Sequence, residues 1–193
     1  MQARVAPPVT MIDVFVPDRR LIHNVGLIVA FSLLIGLSAR IAILLPFTPV
    51  PITMQTLTVL LTGMLLGSRL GALTLVAYLI EGALGLPVFS PGVIGVGAFL
   101  GPTGGYLIGF AFAAALVGFL AERGWDRRAT TTLLAMVLGN LVIYTFGVGF
   151  LTRLMPLPAS IAAGLVPFLV GDVVKILLAM AAMPLGWSFL RRD

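Results

Sequence analysis

From Leu21 onwards the chain is a succession of apolar runs, broken only by short stretches rich in proline, glycine and arginine. A transmembrane helix needs about 20 predominantly apolar residues, and these runs accommodate five or six. That pattern excludes a water-soluble globule: 60% of the residues are hydrophobic and 10% charged, against roughly 45–50% and 25% in soluble domains. A mean hydropathy of +1.14 excludes a disordered chain and a nucleic-acid-binding module as well. The length of 193 residues predicts one compact bundle without an extramembrane domain.

The net charge of +5 follows the membrane rather than a polyanionic partner. Lys175 is the single lysine, and the arginines gather at the ends of apolar runs, as topology determinants do. With the N-terminus inside, Arg4, Arg19, Arg20, Arg69, Arg123, Arg127, Arg128, Arg191 and Arg192 fall on one side and Arg153 alone on the other. The positive-inside rule then predicts an all-α membrane protein of six transmembrane helices with both termini cytoplasmic. Residues 1–20 are expected as an irregular or surface-lying cytoplasmic arm, and residues 21–193 as a single six-helix domain.

Helix 1 is predicted over 21–45, too long for the 7–15-residue core of a cleavable export signal, and ended by Pro46, Pro49 and Pro51. The block from Thr53 to Leu86 is split at Gly67-Ser68-Arg69-Leu70-Gly71 into helices over 54–67 and 70–85. Each rises only about 21–24 Å, short of the roughly 30 Å hydrocarbon core, so a re-entrant hairpin is the alternative. A loop over 86–102 has three prolines and no charge. Irregular backbone at membrane depth is tolerated where protein buries it or where it lines a cavity. Helices over 103–122, 129–152 and 163–190 complete the bundle.

Four ionisable residues fall inside predicted helices, away from their cytoplasmic ends: Arg40, Glu81, Asp172 and Lys175. A charge at mid-membrane costs about 2.5–3.5 kcal/mol on insertion scales, and such residues normally face the bundle interior. From the rise per residue, Arg40 and Glu81 lie roughly 6–8 Å from the outer helix ends, and Asp172, Lys175 and Asn140 roughly 14–18 Å. These polar groups therefore gather in the outer half, beneath the uncharged loops 46–53 and 86–102, as an outward-facing ligand cavity requires. Asp172 and Lys175, three residues apart, share a helix face. They form either a structural ion pair or the polar end of a ligand site, with Asp172 accepting and Lys175 donating. Asn140 offers a donor and an acceptor to the same amide-like group, or serves as helix–helix glue. For Arg40 the competing reading is snorkelling to the interface; Gln55 and Tyr106 begin helices on the outer side. Gly101, Gly105 and Gly109 form small-xxx-small steps suited to close helix packing.

The lysine lies outside any GxxxxGK[ST] context, and the lone His23 has no partners for a metal or nucleophile system. Hydrolysis of ATP by this chain and metal catalysis are therefore not expected.

The run Pro49-Val50-Pro51-Ile52-Thr53-Met54-Gln55-Thr56-Leu57 resembles the segment after helix 1 in the BioY family, the biotin-specific S components of energy-coupling-factor (ECF) transporters. The resemblance continues through Leu66–Gly71, Gly85–Phe89, Gly101-Pro102-Thr103-Gly104-Gly105-Tyr106-Leu107-Ile108-Gly109-Phe110, and Pro167-Phe168-Leu169-Val170-Gly171-Asp172-Val173-Val174-Lys175. Val170 and Phe150 depart from residues frequent in the family. The resemblance implies a six-helix S component of the bacterial cytoplasmic membrane that captures biotin from outside. A transmembrane coupling subunit and two ABC-type ATPases then drive uptake, the ATP being used by those partners and no cofactor being held by this chain. It implies that Asn140, Asp172 and Lys175 contact the biotin ring system, with Tyr106, Gln55 and Arg40 as further site residues; the charge and depth of Arg40, not the resemblance, suit it to the carboxylate. Val88 and Phe89 would cover the bicyclic ring. The alternatives are an S component for another vitamin, an intramembrane enzyme using Asp172 and Glu81, and an assembly factor without ligand.

Overall fold

The computed structural model describes residues 10–17 and 19–190; the expected positions of Arg4, Arg191 and Arg192, and of the arm before Thr10, lie outside the described residues. In chain order the elements are α1 (Met11–Phe15), α2 (Leu21–Arg40), β1 (Ala42–Ile43), β2 (Ile52–Thr53), α3 (Gln55–Ala83), α4 (Gly97–Leu100), α5 (Gly104–Ala121), α6 (Ala129–Leu151), α7 (Leu157–Gly164), a 3₁₀ turn (Val166–Phe168) and α8 (Leu169–Leu190). The all-helical reading holds. The long helices are apolar all round, and their outer faces stay uncovered: Val25, Val29, Leu33 and Leu37 on α2, and Val170, Val173, Val174 and Leu177 on α8, are all exposed. Such surface belongs against lipid, and the chain is a multi-pass membrane protein.

The stretch Gln55–Ala83 is two antiparallel limbs joined at Gly67, whose φ of 83° and ψ of 177° break the helix. A Cβ placed on Gly71 would lie 3.0 Å from the Cα of Gly63, whereas eight residues of continuous helix would separate them by about 12 Å. At the far end Gln55 Nε2 donates to the Tyr78 hydroxyl at 2.6 Å, which closes the hairpin. The split expected near residue 67 is therefore present as a hairpin, and its limbs, 55–66 and 68–83, are each shorter than the hydrocarbon core. Glu122, just past α5, accepts from both the backbone N–H and the hydroxyl of Ser68, each at 2.7 Å. It thereby caps the second limb from another element. Among the described residues, α5 packs against α3 on one side and α6 on the other; α2 leans on α3, and α8 on α6. The α3–α5 seam is close: a Cβ on Gly63 would run into the Ala114 backbone.

Three expected boundaries shift. Helix 1 ends at Arg40 rather than 45, because residues 42–43 pair antiparallel with 52–53 and the three prolines between hold the chain out of helix. Helix 6 does not run unbroken from 163. Pro167 sits in a 3₁₀ turn, and α8 starts at Leu169. Asp172 thus lies in the first turn of α8, where the helix dipole favours a carboxylate, and not several turns below a helix end. Third, the arm expected as irregular contains α1, whose Met11 is buried and abuts Gly186.

Thr10, Gly67, Glu122, Asp126 and Trp187 meet at one end of the bundle. Arg19, Arg20, Arg69, Arg123, Arg127 and Arg128 belong to the segments that converge there. The opposite end carries the β1–β2 hairpin, the 86–102 loop and α7, with Arg40 and Arg153. Arg40, expected within helix 1, is instead its terminal residue.

At the arginine-rich end Asp126 is fully buried and accepts from the Trp187 indole at 2.5 Å. Burial pushes its pKa above the usual carboxylate range, partly offset by that hydrogen bond. A group with a raised folded-state pKa contributes stability at low pH that is lost as pH rises through that pKa. Asp126→Asn, which keeps an acceptor for the indole, should therefore raise the melting temperature at pH 8, and the gain should vanish below about pH 4, near the unfolded carboxyl pKa. Gly67→Ala should cost about 1–3 kcal/mol, since the left-handed φ is joined by a clash with Glu122. Gly85→Ala, also at positive φ but in open space, should cost less. Thermal unfolding in detergent checks both predictions.

Candidate functional site

A cavity opens between the β1–β2 connection and the 86–102 loop, enclosing about 540 Å³ of empty space, part of it open to the outside. Its walls are apolar and largely aromatic: Phe89, Tyr106, Phe110, Tyr144 and Phe168, with Val50, Leu107 and Ile143 between them. The polar groups are Thr53, Gln55, Thr56, Ser90, Thr103 and Lys175.

Lys175 organises the polar end. Its Nζ donates to the Thr53 carbonyl at 2.8 Å, to Thr56 Oγ1 at 2.7 Å and to Asp172 Oδ1 at 3.3 Å. An ammonium has three N–H groups, so each has a partner. Asp172 Oδ1 also takes a long bond from the Thr56 hydroxyl at 3.5 Å, and Oδ2 accepts from the Tyr144 hydroxyl. This set joins α3, α6 and α8 and leaves Asp172 and Lys175 4% and 6% exposed. Each charge has an opposite charge and neutral partners, which offsets much of the desolvation cost.

The 86–102 loop is pinned by a separate chain of contacts. The Tyr78 hydroxyl accepts from Gln55 and donates to the Val88 carbonyl at 3.2 Å. Phe89 fills the space behind, edge-on to Tyr78 at 5.4 Å and to Phe99 at 5.9 Å. A side chain at Gly82 would collide with its ring. On the other wall the Tyr106 hydroxyl donates to the Gly164 carbonyl at 2.6 Å, which holds the end of α7 against α5.

Of the eight residues singled out from the sequence, Gln55, Phe89, Tyr106 and Lys175 line the cavity. Asp172 lies behind Lys175, one hydrogen bond from the wall. Asn140 is buried with an unpartnered carboxamide oxygen and is not among the lining residues. Val88 is buried beside Phe89 and contributes its carbonyl to Tyr78. Arg40 does not reach the cavity either; being exposed, it donates to the Pro87 carbonyl at the base of the loop. Glu81 accepts from Ser32 at 2.7 Å, between α2 and α3, and is not a lining residue. It does not share the cavity with Asp172, as an acid–base pair acting on one substrate would have to.

The residues missed from the sequence are chiefly Tyr144, Thr53, Thr56 and Phe168. Tyr144 follows Asn140 by one helical turn and so shares its face. Thr53 and Thr56 sit within the Pro49–Leu57 run but contribute through a backbone carbonyl and a common hydroxyl, for which no pattern exists.

The sequence matches the BioY family over residues 9–192. It is similar to the biotin transporter BioY of Rhizobium etli, 37% identical over 77% of this chain and 83% of that protein. It is also similar to the probable biotin transporter BioY of Pyrococcus horikoshii, 39% identical over 79% and 88%. In three dimensions it resembles the crystal structure of the S-component for biotin from an ECF-type ABC transporter, with a TM-score of 0.77, 28% identity, and 89% of this chain and 92% of that one covered. The sequence and the arrangement of helices agree, and the chain belongs to the BioY family.

Proposed function

We propose that this chain is the biotin-binding S component of an ECF-type transporter, receiving biotin in the cavity between the β1–β2 connection and the 86–102 loop. The observation that carries the proposal is the pairing of a mostly aromatic, apolar cavity with a single polar end built around Lys175. Biotin has the complementary form: a ureido group with one acceptor and two N–H donors at one end, and a thioether ring and alkyl chain behind it. Lys175 Nζ donates to the ureido carbonyl, exchanging its bond to Thr56 Oγ1 for one to the ligand. Gln55 Oε1, which makes only a 3.4 Å contact with Thr53 Oγ1, accepts from a ureido N–H. Asp172 and Tyr144 hold Lys175 in place, and Phe89, Tyr106 and Phe168 pack against the rings. Asn140, one turn from Tyr144 on α6, supports the polar end from behind. Arg40 acts on the loop through Pro87 rather than on the ligand carboxylate.

The arginine-rich end faces the cytoplasm under the positive-inside rule, so the cavity opens outward across the bacterial cytoplasmic membrane. Release inward is driven by a transmembrane coupling subunit with two ABC-type ATPases, which use the ATP. The role is capture and delivery, not catalysis.

Isothermal titration of the detergent-purified protein with biotin, thiamine and riboflavin tests this reading. Biotin alone should bind; heat with another vitamin and none with biotin would refute it. Lys175→Ala and Asp172→Asn should each weaken biotin binding at least about tenfold, the worth of a hydrogen bond to a charged group, while the protein still inserts and purifies. Tyr144→Phe should cause a smaller loss. Arg40→Ala should chiefly speed biotin dissociation by freeing the loop, with less effect on affinity than Lys175→Ala.

A further inference from the structure

The wall of the cavity has a second side. On α5, Tyr106 and Leu107 face the cavity while Gly105 and Ile108 face away from it; on α6, Ile143 and Tyr144 face inward while Thr145 and Phe146 face away. The outward residues line an open groove between the two helices. Gly149 keeps it open, because nothing lies within 4 Å of the point where a Cβ would stand. Ile108 and Phe146 are more than one-third exposed along it. The Thr145 hydroxyl is already bonded to the Leu141 carbonyl at 2.7 Å, so the groove makes no polar demand on what fills it.

Its end is different. Arg153 stands there with its guanidinium 4.7 Å above the Phe150 ring. It is exposed and has no ion pair among the described residues. Stacking occupies one face of the guanidinium and leaves its N–H edges free, and their fork matches the oxygens of a phosphate. Arg153 also lies at the opposite end of the bundle from the arginine cluster, so it is an isolated cation at the end of an apolar groove.

We propose that this groove is a binding site for one anionic glycerophospholipid, its phosphate on the Arg153 guanidinium and an acyl chain along Ile108, Phe146 and Gly149. Charge complementarity selects the head group, and the uncharged groove selects the chain. A soluble anion would use only the arginine, and a zwitterionic lipid would bring its own cation to the same point. Because the groove and the cavity share the α5–α6 seam, the lipid braces the wall that carries Tyr106 and Tyr144. The site is independent of which ligand the cavity takes.

The test is native mass spectrometry of the purified full chain, supplied with equal amounts of phosphatidylglycerol and phosphatidylethanolamine. The chain should retain one phosphatidylglycerol in preference to phosphatidylethanolamine. Arg153→Gln should cut that retention by about tenfold, and Arg153→Lys should keep part of it. Gly149→Phe, which leaves the arginine but fills the groove, should reduce it as well. Arg128→Gln, at the arginine-rich end, should leave it unchanged. Equal retention of the two lipids, full retention in both Arg153→Gln and Gly149→Phe, or an equal loss in Arg128→Gln would overturn the proposal. So would displacement of the lipid by glycerol phosphate alone, which would reduce the site to an anion contact.

Discussion

A lysine ammonium buried among membrane helices is the constraint from which most of the rest follows. Leaving Lys175 without partners would be prohibitive, so the fold has to deliver three acceptors to one point. They come from separate parts of the chain: the Thr53 carbonyl from the end of β2, Thr56 from the first turn of α3, and Asp172 from the same face of α8. Tyr144 on α6 completes the set through Asp172. Satisfying one charge therefore fixes the relative placement of three long elements at the level of the cavity. The same requirement explains the break before α8. By starting the helix at Leu169, the 3₁₀ turn places Asp172 among the free N–H groups of a first turn, where it is stabilised before Lys175 contributes.

The other end of the molecule is held by different physics. There Arg20, Arg69, Arg123 and Arg128 are exposed, and the bundle is closed by contacts between polar groups of short reach: Glu122 on Ser68, and Trp187 on Asp126. The first joins the turn within α3 to the end of α5, and the second joins the α5–α6 connection to the last turns of α8. The division leaves the middle of the bundle to be set by packing, chiefly through glycines on α3 and α5.

The composition and the charge pattern made the membrane and the helical class legible, because each depends on sums over many residues. The polar end was legible for a related reason: in lipid, each ionisable residue inside a helix has to be accounted for, so Asp172 and Lys175 stood out. Boundaries were less so. Helix 1 lost its last turn to a two-residue pairing, Ala42–Ile43 with Ile52–Thr53, too short to leave a periodic signal. Arg40 for that reason stands at the end of helix 1 and not a turn inside it. Asn140 shows the limit in the other direction. It shares a helix face with Tyr144, but the cavity takes Ile143 and Tyr144, one turn further along, and not Asn140.

The seam between α3 and α5 has a kinetic consequence. Where Gly63 lies against the backbone of Ala114 and Gly71 against Gly63, main chains are already in van der Waals contact, and there is no side chain left to repack. That part of the molecule is stiff. The volume change that accompanies filling or emptying the cavity therefore falls on the opposite, softer boundary, where the β1–β2 connection and the 86–102 loop are held by a few single hydrogen bonds. Entry to the cavity is then set at that boundary, and the helices behind it act as a fixed mould.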